Sequence, residues 1–129
     1  MDVQVYTEVR GANVFPEKEL RKALHSYSPD FEYREAREND HQYRLFEPLP
    51  PCLIIVNFFP KGHPYLEPNV IATFTSNSRE LSREVAERFE KSAGLELLTE
   101  HECKRLGEFP NTFEKVAFEE AMAEQAANN

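Results

Sequence analysis

Side chains able to do chemistry gather in one short stretch, Lys61-Gly62-His63-Pro64-Tyr65, where a cation, an imidazole and a phenol fall within five residues. Pro60, Pro64 and Pro68 stiffen that connection, and a pre-stiffened loop on a rigid scaffold loses less entropy when it binds. Lys61, His63 and Tyr65 are therefore contact candidates. The plainer reading is a strand-to-strand crossover whose Tyr65 and Leu66 cover the edge of the core. A second stretch, Thr75-Ser76-Asn77-Ser78, opens a helix and offers backbone N–H groups to an anion, with Arg79 and Arg83 near by. Capping by Asn77 or Ser78 accounts for the same residue types. If Asn57, Ser76, Asn77 and Ser78 converge with the 60–69 loop, they form a pocket for a small molecule or a reaction.

Other chemistries find weaker support. A metal would draw on His25, His41, His63, His101, Cys52 and Cys103, and the one close pair is His101 with Cys103. A structural zinc takes four ligands in two tight pairs, and a second pair is missing, so no metal is expected. Cys52 follows Pro51 into the most hydrophobic run, where a thiol stays protonated and packs as a small apolar group. Glu32, Glu35, Glu38 and Asp40 alternate with Arg34 and Arg37, which reads as cross-strand ion pairing rather than an acid/base dyad. Glycine-rich phosphate loops, a G-x-S-x-G elbow, a zinc-protease helix and Cys-x-x-Cys are all absent from the sequence. No cofactor is expected, no residue is assigned as catalytic, and the balance leans away from an enzyme.

The elements that position these residues follow from periodicity. Val3, Val5 and Thr7 alternate with polar neighbours as a first strand that ends near Gly11. Pro16, Glu17 and Glu19 open a short helix carrying Leu20, Ala23, Leu24 and Tyr27, which stops at Ser28-Pro29-Asp30. Residues 31–37 and 42–47 form a charged hairpin, with Phe31, Tyr33, Tyr43 and Leu45 facing inward. Cys52 to Phe59 is apolar on both faces, as a central strand should be, and Val70 to Thr75 follows as another. Leu81, Val85 and Phe89 make the stripe of a clear helix that ends at Gly94. Leu95, Leu97 and Thr99 suggest a last strand, and Asn111 or Thr112 opens a terminal helix over 112–129 that frays at its end. In that helix Phe118 and Met122 are left for a partner groove or a second subunit. The fold class is α+β: a mainly antiparallel sheet of five to six strands with helices on one face, a ferredoxin-like arrangement being one option, plus the C-terminal helix.

Length and charge bound the rest. The 129 residues make one domain, and 15 aromatic side chains supply core without disulfide staples. No apolar run approaches the length of a membrane span, and Met1-Asp2-Val3-Gln4 lacks the basic and apolar regions of a signal peptide. With two cysteines as well, a cytoplasmic location is expected, with no membrane partner. The net charge is −8, of which −5 falls in residues 79–129. Phosphate backbones repel such a surface, so direct nucleic-acid binding is not expected. The leading expectation is an acidic, non-enzymatic binding protein that meets another, basic protein, as inhibitors and immunity-type proteins do by general character. Tyr43, Tyr65 and Phe118 would be its anchors. The alternatives are the pocket described above and a homodimeric subunit joined through the terminal helix.

Overall fold

The computed structural model describes residues 4–37, 40–60, 68–108 and 112–128. In chain order it holds β1 (Tyr6–Ala12), α1 (Glu17–Tyr27), β2 (Glu32–Arg37), β3 (Asp40–Pro48), β4 (Pro51–Phe58), β5 (Val70–Ser76), α2 (Arg79–Ala93), a 3-10 turn (Lys104–Glu108) and α3 (Thr112–Ala127). The five strands form one antiparallel sheet in the order β1-β5-β4-β3-β2, and three helices pack against it in an α+β arrangement. The ferredoxin-like option does not hold. Strands β2 to β5 run as a meander, and β1 joins beside β5 in antiparallel sense, so every pair among these five described strands is antiparallel.

The central strand explains why its sequence is apolar throughout. Cys52, Ile54, Val56 and Phe58 face one way, into a core shared with Leu20 and Leu24 of α1 and Val85, Ala86 and Phe89 of α2. Leu53 and Ile55 face the other way, against Ala117 and Phe118 of α3. The terminal helix therefore covers the face that α1 and α2 leave open, and the sheet is sandwiched rather than covered on one side. A smaller cluster of Val9, Ile71 and Leu106 seals that second face beside the 3-10 turn.

Local signals account for most element ends. Ser78, and not Asn77, caps α2: its side chain accepts from the Leu81 N–H at 3.2 Å. Gly94 closes α2 with φ of 67°, a left-handed value that glycine adopts without strain. Gly11 is required for a different reason, because a Cβ there would overlap the Pro68 ring. The expected last strand does not form. Leu98 meets Gly11 through a pair of backbone hydrogen bonds of 2.7 and 3.0 Å, and the bridge stays isolated. Leu95 and Leu97 pack on the main core and Leu98 on the cluster around Leu106, a two-sided pattern that alternation alone reads as a strand. The hairpin is longer than its turn signal suggested: β3 begins at Asp40, so His41 lies within the strand.

Candidate functional site

A groove of ≈ 330 Å³ runs between α3 and the β2–β3 hairpin. One wall is α3. Glu114, Ala117, Phe118 and Ala121 recur at helical spacing, and Ala117 and Phe118 seat the helix on Leu53 and Ile55. Small alanines bring the backbone close to the sheet, and this leaves Glu120 and Glu124 on the rim of the buried stripe, aimed across the groove. The facing wall carries Glu32 and Arg34 of β2 with Arg44 and Phe46 of β3, and Asp30 closes one end. Leu53 lies at the bottom.

The two guanidinium groups in the groove are already engaged. Arg44 donates from Nε to the Gln42 side chain at 2.6 Å and lies 5.5 Å from the centre of the Phe113 ring. Burial, and then the neighbouring charge of Arg34, push the Arg44 pKa down, while Glu120 and Glu124 oppose that shift across the groove. Arg34 pairs with Glu32 of its own strand at 3.7 Å, so the ion pairing expected between strands is found along one. Four carboxylates, from Asp30, Glu32, Glu120 and Glu124, thus face two cations. Among the described residues lining the groove there is no Cys, His, Ser, Thr or Tyr. What it presents is charged side chains around an apolar floor.

Gln42 extends this polar face into the sheet by donating to the Asn57 side chain at 2.9 Å. The amide that interrupts the central strand is satisfied there, as a part-buried polar group must be. This placement separates the expected pocket residues. Asn57 pairs with Ile71 while Ser76 pairs with Cys52, so Asn57 and Ser76 lie on opposite faces, near opposite ends of the sheet. Ser76 is fully buried and joined to Ser82 at 2.6 Å, Ser78 caps α2, and Arg79 lies over the Tyr6 ring at 5.2 Å. The pocket built from Asn57, Ser76, Asn77 and Ser78 is therefore not formed. Lys61, His63 and Tyr65 lie outside the described residues.

Two of the expected anchors are core side chains. Phe118 is 1% exposed and packs on Phe46, because the α3 stripe turns it toward β4. Tyr43 is 5% exposed and donates its hydroxyl to Glu17 Oε2 at 2.6 Å. Met122 is 37% exposed, and Phe113 and Val116 are exposed on another side of α3.

Tyr43 belongs to a cluster that sequence spacing did not reveal. Glu17 Oε2 also meets His41 Nδ1 at 2.6 Å, and Tyr33 packs edge-on against His41. Burial pushes the Glu17 pKa up, but the hydrogen bonds from Tyr43 and His41 hold it below the ordinary carboxylate value. Burial, with Glu17 adding, pushes the Tyr43 hydroxyl well above its usual range. The cluster ties the first turn of α1 to β3. Cys52 is fully buried, and burial pushes its thiol up to about 12, which removes it as a nucleophile. Among the described residues no group of His, Cys, Asp or Glu is placed to hold a metal ion, and no helix is long and apolar enough to cross a membrane. No family model, curated protein or solved structure matches this chain.

Proposed function

We propose that this chain is a non-enzymatic binding protein whose groove between α3 and the β2–β3 hairpin takes a basic segment of another protein. One observation carries the reading: carboxylates of Asp30, Glu32, Glu120 and Glu124 ring an apolar floor, in a chain whose net charge is −8. The two arginines offset only part of this charge: Arg34 pairs with Glu32, which leaves Asp30, Glu120 and Glu124 against Arg44 alone, and Arg44 spends its Nε–H on Gln42 and lies over the Phe113 ring. Lysine or arginine side chains of a partner would span the groove mouth with their cations on Glu120 and Glu124. Their aliphatic stems would cover Ala121 and Leu53. The surrounding acidic surface would speed the encounter and make it salt-sensitive. Exposed Phe113, which lies against Arg44, and Val116, one turn before Glu120, replace the buried Tyr43 and Phe118 as the apolar contacts next to the charged patch.

The test is a comparative capture from cells that express the protein, using the whole chain and its Glu120→Lys/Glu124→Lys variant as baits. The expected result is a stoichiometric protein held by the wild type, released by salt and lost by the variant. Loss on the order of a hundredfold in affinity is expected if both carboxylates meet cations in a partly desolvated groove. Capture that is identical for both baits, or absent from both, overturns the reading.

A further inference from the structure

The two edges of the sheet are treated differently. At β1 the outer edge is occupied where Leu98 bridges Gly11, and the 3-10 turn packs beside it. At β2 the outer edge is open: among the described residues no backbone hydrogen bond reaches it from outside the β2–β3 ladder. Glu32, Tyr33, Arg34 and Glu35 are all exposed, Tyr33 at 53%. An open edge of this kind is a template for another strand.

The side chains select what that strand is. Two copies of one strand that join in a continuous sheet are related by a two-fold axis through a single residue, since each side chain must keep its own face. An axis through Arg34 sets two arginines face to face, and an axis through Glu35 sets two glutamates face to face. Beyond Glu35 the strand is interrupted by a bulge. An axis through Tyr33 sets ring against ring and places Glu32 of each copy opposite Arg34 of the other. Both facing pairs are then of opposite charge, on the face where Glu32 and Arg34 already lie side by side.

We infer that β2 is a self-association edge, which pairs antiparallel with β2 of a second copy about Tyr33. The sheet becomes ten-stranded, and the two grooves, each lined by Glu32 and Arg34, meet along the seam. The inference does not depend on what the groove binds.

Cysteine trapping tests it directly in the full-length chain. Tyr33→Cys places two thiols on directly opposed residues, whose Cα atoms lie about 4.5–5.5 Å apart in an antiparallel pair, within disulfide reach. Glu35→Cys places them four residues out of register, about 13 Å apart, with Cys52 and Cys103 as a common background. Under mild oxidation Tyr33→Cys should give a dimer at twice the 15.0 kDa chain mass, and Glu35→Cys should not. In sedimentation, Arg34→Glu should weaken association on the order of tenfold or more. An equimolar mixture of Glu32→Arg and Arg34→Glu chains should restore it, because every facing pair is again opposite. Circular dichroism confirms that each variant is folded. Equal trapping at both positions, no trapping at position 33, or an Arg34→Glu chain that associates like the wild type overturns the inference.

Discussion

Thr73 and Thr75 lie two residues apart on one face of β5, both buried, yet their hydroxyls have different fates. Thr75 Oγ1 lies 2.9 Å from Thr7 Oγ1, within a hydrogen bond. Among the described residues Thr73 Oγ1 has no hydrogen-bond partner, and its cross-strand neighbours are Val9 and Ile55. Valine in place of threonine keeps the shape and the β-branching, so strand propensity barely changes and the hydroxyl is what is tested. Burying a hydroxyl without a partner costs roughly 1–3 kcal/mol in proteins, so Thr73→Val should stabilise the fold by about 1 kcal/mol or more. Thr75→Val removes a made hydrogen bond. The Thr7 hydroxyl is only half-buried and can turn to water, so the loss should stay at about 0.5–1.5 kcal/mol. The two variants should therefore differ by about 2 kcal/mol with opposite signs, read as midpoint shifts in urea at unchanged slope. In heating experiments each kcal/mol corresponds to roughly 3–6 °C at this chain length. Most substitutions destabilise, so a gain from Thr73→Val would be diagnostic. Shifts of the same sign from both variants would refute the reasoning that an orphaned hydroxyl lies under α3.

Other outcomes follow from the same packing. Phe118→Ala should cost about 3–5 kcal/mol, because the ring is fully buried between β4 and α3. Met122→Ser should stay within about 0.5 kcal/mol; similar losses from the two, measured by thermal unfolding, would contradict the orientation of the helix. Glu17 predicts an acid dependence. Its pKa is held below the ordinary value of 4.5, so its contribution is fully present above that value and is lost as pH falls through the depressed one. Unfolding free energy of the wild type should therefore fall below about pH 4.5. Glu17→Gln should flatten that limb, and an unchanged slope would show that His41 and Tyr43 do not hold the charged form.

How much of this could be read from residues alone depended on how local the cause was. The helix over Glu17–Tyr27 was legible because proline, two glutamates and an apolar stripe all act within one element. Gly94 and the Ser78-or-Asn77 cap were legible for the same reason. Cys52 to Phe58 announced a central strand, since apolar side chains on both faces have one explanation in a small sheet. Leu95 to Thr99 misled because its alternation is real, while its backbone finds a partner only at Gly11. Alternation reports burial; a strand also needs a free edge along its length, and the 3-10 turn already lies beside β1.

The site was less legible because its causes are tertiary. Phe118 and Met122 are four residues apart in sequence, and nothing local says which turns inward. The answer lies in Ala117 and Ala121, whose small side chains let α3 sit closely on Leu53 and Ile55 and carry Phe118 with them. That same choice places Glu120 and Glu124 on the rim, an i,i+4 carboxylate pair beside an alanine stripe, which is the signal that could have found the groove. Arg34, Glu32 and Arg44 could not be found in that way, because what brings them opposite α3 is the meander that puts the charged hairpin at the sheet edge. Charge that reads as a solvated hairpin in sequence becomes, once a helix covers the adjoining face, one wall of the groove. The exposed outer edge of the same strand is where two such grooves would meet in the proposed β2 pairing.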